Sequence, residues 1–136
     1  MRVGLILPTF ERSVQPALDA ARAAEDAGLH GVFAFDHLWP IGRPGRPAIA
    51  PFPLLGGVAA VTTTVAIGPL VARIGLTSDE VLIDEFATLD AVSGGRVVAA
   101  VGTGDAKSAA EQLAYGLVIP PAAVRLARLE AVATEL

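Results

Sequence analysis

The chain has 136 residues, 53% of them apolar and 18% charged, with a formal net charge of −4. That length suits one compact domain, and a composition this apolar excludes a disordered or fibrous chain. Net negative charge gives no reason to expect nucleic acid or an anionic membrane as partner, and with no cysteine there are no disulfides, thiolate metal sites or cysteine nucleophiles.

The first apolar run, Val3–Leu7, predicts a strand directly behind Met1, so no signal peptide is expected. A helix follows, with Ser13 as its cap, Leu18, Ala21 and Ala24 along its apolar face, and Gly28 as its stop. Gly31–Phe35 predicts the second strand. The Pro- and Gly-rich stretch His37–Pro51 reads as a long loop of the kind that carries function. A second helix is expected over Phe52–Thr64, then a third strand over Val65–Val71, where Gly68-Pro69 implies either a bulge or a strand end. The third helix is marked by Thr77 and Glu80 as a capping box, by the stripe Leu82, Phe86 and Leu89, and by Gly94-Gly95 at its end. Arg96–Val101 predicts a fourth strand, followed by a helix near Ser108–Tyr115 and a last one from Pro121 to Leu136.

The runs are nearly continuous rather than alternating, as in parallel strands buried on both faces. The order predicts an α/β fold of four βα units, forming a single domain over residues 1–136. No segment approaches 18 unbroken apolar residues, so a soluble, cytoplasmic protein without membrane contact is expected.

In parallel α/β folds ligands meet the carboxyl ends of the strands, which here carry Pro8-Thr9-Phe10, Asp36-His37-Leu38-Trp39, Val71-Ala72-Arg73 and Gly102-Thr103-Gly104-Asp105. In Asp36-His37, an imidazole beside a carboxylate suits proton transfer near neutral pH. The plainer reading has Asp36 capping local amides and His37 packing under the loop. Gly102 and Gly104 would let backbone approach a ligand, but Lys107 stands where a dinucleotide fingerprint needs its third glycine. Asp105 has a structural role open to it, capping the next helix, for which Ser108 with Glu111 is an equal candidate. Phe10, Trp39 and Phe52 could flank a planar ring or simply pack. Two histidines do not make a zinc site, and no metal is expected.

Val3-Gly4-Leu5-Ile6-Leu7-Pro8-Thr9, Ala23-Ala24-Glu25-Asp26-Ala27-Gly28 and Phe35-Asp36-His37-Leu38 resemble the opening of the bacterial luciferase-like monooxygenase superfamily. Phe86-Ala87-Thr88-Leu89-Asp90-Ala91-Val92-Ser93-Gly94-Gly95-Arg96-Val97, followed by Val101-Gly102-Thr103-Gly104-Asp105, is the most specific block, and the likeness runs in order along essentially the whole chain. The resemblance implies the N-terminal half of a TIM barrel, four parallel βα units of eight, that binds coenzyme F420 or alternatively FMN at its carboxyl face. The Asp-His pair and the Gly-Thr-Gly-acid segment resemble the F420-dependent branch more closely. The resemblance implies His37 and Asp105 as catalytic groups, and Asp36, Leu70, Val71, Gly104 and Ser108 as cofactor contacts. It also implies a non-proline cis peptide at Leu70-Val71. F420-linked sugar dehydrogenases carry a glutamate where this chain has the shorter Asp105.

A complete barrel needs roughly 250 residues. The expectation is therefore an oxidoreductase or monooxygenase acting on a small-molecule substrate, completed by self-association into a homo-oligomer. The alternative is a non-catalytic half-barrel that docks on a full-length homologue. An unrelated nucleotide-binding α/β domain is a third reading, which the glycine spacing opposes.

Overall fold

The computed structural model describes residues 1–105 and 107–136. Its architecture is α/β with parallel strands. Strands β1 (Gly4–Ile6), β2 (Gly31–Ala34) and β3 (Ala66–Pro69) form one sheet in that order, with Leu5 opposite Val32 and Val32 opposite Ile67. A second parallel pair joins β4 (Ala72–Arg73) to β5 (Val101–Gly102). Helices α1 (Gln15–Asp26), α2 (Pro51–Val61) and α3 (Asp79–Ser93) alternate with the strands, and α4 (Ala109–Ala114) and α5 (Ala122–Glu135) close the sequence of elements.

The ambiguous Gly68-Pro69 step resolves as an interruption. β3 ends at Pro69, the Leu70-Val71 peptide is cis, and the strand direction resumes in β4. Segment 96–102 runs alongside in two stretches. Ile67 donates its N–H to the Arg96 carbonyl (2.9 Å) and Val98 to the Ile67 carbonyl (2.8 Å), and pairing returns at Ala72 and Ile74. The predicted strand Arg96–Val101 is thus regular only at Val101–Gly102, with a bridge at Val97, because the interruption opposite breaks its ladder.

The continuous apolar runs predicted burial on both faces, and only one face is covered. Val32, Ala34, Val65 and Ile67 are at most 1% exposed against Ala17, Ala21, Leu54, Leu55 and Val58 of the helices. On the opposite face Phe33 is half-buried and Val98 is 43% exposed. The Phe33 ring lies over two glycines: a Cβ on Gly4 would come within 2.7 Å of its Cε2, and one on Gly31 within 3.1 Å. A second apolar cluster, Ala72, Ile74, Leu82, Phe86 and Val132, joins β4 to α3 and α5.

The helix ends differ from expectation by small steps. Val14, not Ser13, is the α1 cap residue, although Ser13 Oγ accepts the Gln15 N–H at 3.2 Å. The α3 cap is Ser78, whose Oγ accepts the Val81 N–H at 3.3 Å; the cap moves one residue past Thr77, and with Val81 three residues on, the predicted Thr77–Glu80 box does not form. Gly94 ends α3 at φ +72°, a conformation that a side chain would strain. α2 starts one residue before the predicted Phe52 and stops at Val61, where Thr62 turns extended.

The amino ends of the strands are locked by side chains. Glu25 of α1 accepts the backbone N–H groups of Thr63, Thr64 and Val65 (2.6–3.2 Å), and these bonds, led by Thr64, hold its pKa down at about 2. Arg96 donates to the carbonyls of Ala59, Thr62, Val65 and Ser93 (2.7–3.2 Å). Donors and acceptors of the α2–β3 turn are therefore matched from both sides. Among the described residues no helix is long and apolar enough to cross a membrane.

Candidate functional site

At the opposite, carboxyl end the residues following β2 and β5, with Glu111 of α4, converge around Arg73 of β4. This arginine is 4% exposed, and three groups hold it. Its backbone N–H goes to Asp36 Oδ2 (2.7 Å), Nη2 to the Asp36 carbonyl (3.1 Å), and Nη1 to Glu111 Oε1 (2.8 Å). Nε is buried without a partner among the described residues, as is Thr9 Oγ1.

Glu111 sits on α4 at 2% exposure and is the hub. Oε1 also meets His37 Nδ1 at 2.7 Å, and Oε2 accepts the Leu38 N–H at 2.5 Å and, more distantly, that of Trp39 at 3.4 Å. Burial pushes the Glu111 pKa up, but the hydrogen bonds from Arg73, His37 and Leu38 outweigh it and hold the carboxyl below its ordinary value. Asp36 goes the other way. Burial dominates there and raises its pKa despite the Arg73 bonds.

His37 remains partly accessible, its side chain 25% exposed. Phe10 and Phe35 stack with centroids 6.0 Å apart and lie 6.4 and 6.2 Å from the imidazole, forming an aromatic corner. Trp39 packs on Tyr115 at 6.0 Å rather than on this corner. Phe52 lies edge-on to Phe86, in the core.

The adjacency of Asp36 and His37 suggested that these two side chains act as a pair. The carboxylate that holds the imidazole is instead Glu111, and Asp36 is turned to the Arg73 backbone. Neither Arg73 nor Glu111 was singled out from sequence for this role: Arg73 read as a strand end and Glu111 as a capping partner of Ser108. The available signal was charge scarcity, since an ionisable residue at the end of an apolar run, in so apolar a chain, has to find a counter-charge.

Asp105 and Ser108 close a local turn. Asp105 Oδ1 accepts from the Ser108 N–H (2.9 Å) and Oγ (3.0 Å), and the Asp105 N–H is returned to Ser108 Oγ (3.2 Å). These bonds, led by the Ser108 backbone, lower the Asp105 pKa, and its side chain is exposed. Ser108 stands at the N-cap position of α4 without a side-chain cap bond, and the Asp105 bonds end at Ser108, so neither foreseen cap forms. Gly104 adopts φ +69°, with Arg73 Cδ 2.9 Å from where a Cβ would stand, so the loop closes directly over the arginine. Arg125 of α5 anchors that loop through Nη1 to the carbonyls of Thr103 and Gly104 (3.0 and 2.9 Å). Leu70 and Val71 flank the cis peptide, 41% and 39% exposed, an apolar step beside Gly102. The arrangement can hold an imidazole at a fixed angle over the strand ends and exchange protons with a molecule resting there.

The sequence profile of the luciferase-like monooxygenase family matches residues 1–132. The chain belongs to that family. It is 38% identical over 113 residues to an F420-dependent glucose-6-phosphate dehydrogenase of Nakamurella multipartita, covering 82% of this chain and 32% of the relative. A namesake from Beutenbergia cavernae is 39% identical over 112 residues, covering 81% and 32%. This member of the family spans about a third of the length of those curated relatives. Among solved structures, an F420-dependent secondary alcohol dehydrogenase bound to an F420-acetone adduct superposes with a TM-score of 0.80 at 24% identity, covering 99% of this chain and 41% of the other. A riboflavin lyase with modified FMN gives 0.79 at 22% identity, covering 98% and 36%. Those two likenesses show that the chain shares the parallel α/β fold of the matched parts of these enzymes.

Proposed function

We propose that this chain is the proton-handling, cofactor-contacting part of an F420-dependent oxidoreductase acting on a small-molecule substrate. The observation that carries the reading is His37, held at the strand ends by Glu111 with its ring still accessible. The F420-dependent relatives support the choice of cofactor over FMN.

The residues present fit such a group on two counts. Leu70 and Val71 offer an apolar step for a planar ring, and Thr9 Oγ1 and Arg73 Nε are buried polar atoms with bonding capacity to spare. In this reading Asp36, Leu70, Val71, Gly104 and Ser108 hold the cofactor, which supplies the site for hydride transfer when bound. His37 exchanges the accompanying proton, and Asp105 adds a fixed negative charge at the rim. Its local bonds to Ser108 set the direction of that charge. The chain corresponds to four βα units of an eight-unit barrel. We infer that a second copy supplies the remaining wall, making the active form a cytoplasmic homo-oligomer.

Titration with F420 and with FMN, followed by absorbance and fluorescence, tests the reading. F420 should bind in preference, and His37→Ala should reduce hydride transfer far more than cofactor affinity. Binding of neither cofactor overturns it in favour of a non-catalytic partner subunit. Light scattering decides the assembly, where a stable monomer that still turns over excludes the homo-oligomer.

A further inference from the structure

An imidazole can serve as a base through only one nitrogen at a time, and its surroundings decide which. His37 Nδ1 lies 2.7 Å from Glu111 Oε1, and that oxygen also receives Arg73 Nη1 at 2.8 Å. Leu38 donates to the other oxygen, so both carboxylate oxygens face donors. Protonating Glu111 would put a proton where every neighbour already offers one, and its lowered pKa agrees. An ionised carboxylate only accepts, so the nitrogen facing it must be an N–H. The neutral ring then carries its lone pair on Nε2.

We propose that Glu111, kept ionised by Arg73, is a positioning residue that fixes His37 in the Nδ1–H tautomer and reserves Nε2 as the proton acceptor of the site. The groups facing His37 are Glu111 from α4, Arg73 from β4, Asp36 from the end of β2, and the rings of Phe10 and Phe35. Among the charged ones only Glu111 bonds the imidazole directly. The Leu38 bond adds orientation, because it ties the backbone after His37 to the same carboxylate that holds the ring. The arrangement parallels the outer-shell carboxylates that fix histidine tautomers at metal sites, here with an arginine in place of further solvent. The use made of Nε2 rests on the proposed function; the tautomer does not.

Nitrogen-15 NMR of the histidine side chains reads the tautomer directly in the chain without cofactor. In the wild type, at a pH where His37 is neutral, Nδ1 should give a protonated-type shift and Nε2 an unprotonated-type shift. The reverse pattern, or an even mixture, overturns the proposal without any variant. Glu111→Gln should lower the Nδ1–H to Nε2–H ratio by about tenfold or more, the scale of a charge-assisted hydrogen bond. An unchanged ratio in folded Glu111→Gln also overturns it. In the F420-loaded protein Glu111→Gln should slow single-turnover hydride transfer about tenfold while changing F420 affinity less than about twofold. A chain that shows the Nδ1–H tautomer yet binds no F420 would uphold the positioning role and refute only the cofactor assignment.

Discussion

Arg73 and Glu111 meet at 2.8 Å with side chains 4% and 3% exposed, so each is the other's main compensation for leaving water. Removing one partner of such a pair leaves the other charge buried and unpaired. Arg73→Met should destabilise the protein by about 3–5 kcal/mol. Combining it with Glu111→Gln should recover most of that loss, because no bare charge remains. Urea midpoints of the three proteins check this, and a single-variant loss under about 1 kcal/mol would contradict it.

Glu25 predicts an acid-sensitive end of the molecule. Its pKa is depressed from 4.5 to about 2 in the folded chain, so its contribution is fully present above about 4.5 and is lost as pH falls towards 2. Stability measured between those limits should fall less steeply in Glu25→Gln than in the wild type. Glu111, also lowered, contributes with the same sign, so some acid sensitivity should persist in the variant. Parallel curves would show that the Thr63–Val65 turn does not depend on the Glu25 charge.

Arg96 bridges α2, β3 and the end of α3 through carbonyls that the helix and turn leave unmatched. Arg96→Ala should cost about 3 kcal/mol. Arg96→Lys should restore little, since an ammonium cannot fork across Ala59, Thr62 and Val65 together. Thermal melts of both variants distinguish this from a simple charge effect, in which lysine would rescue.

Two glycines should respond in opposite directions. A Cβ on Gly68 would collide with the Val98 carbonyl where the two stretches of chain pair, so Gly68→Ala should destabilise by about 1–3 kcal/mol. A Cβ on Gly56, inside α2, would meet nothing within 4 Å. Gly56→Ala should therefore stabilise by about 0.5–1 kcal/mol. Calorimetry on the pair tests whether space or backbone freedom decides.

The parallel strand order and most helix positions were legible because burial against one helix layer writes itself into local runs such as Gly31–Phe35 and into stripes such as Leu82, Phe86 and Leu89. The Asp105–Ser108 turn was legible only as a choice between two caps, whereas the strand-end position of His37 was legible outright. The partner of His37 was not. Glu111 lies 74 residues further along the chain, and Arg73 is 38 residues from Glu111. No local period records a contact at that separation. The shifted α3 cap has a local origin: Thr77 and Ser78 are both good cap residues, and the helix takes the second. Segment 96–102 pairs with its neighbour only at Val97 and at Val101–Gly102, on either side of the Pro69–Val71 interruption, and its apolar run carries no mark of that gap.

The Phe33 ring resting on Gly4 and Gly31 has an evolutionary consequence. A methyl group on Gly4 would stand 2.7 Å from the ring and 3.0 Å from the Gly31 carbonyl, and one on Gly31 3.1 Å from both the ring and the Ala66 carbonyl, so ring and backbone together hold both positions to glycine. Three positions on two strands are thereby bound into one unit of inheritance. Among descendants of this sequence, a residue larger than glycine at position 4 or 31 should need a smaller residue at position 33 and, in addition, a small shift of the facing strand backbone.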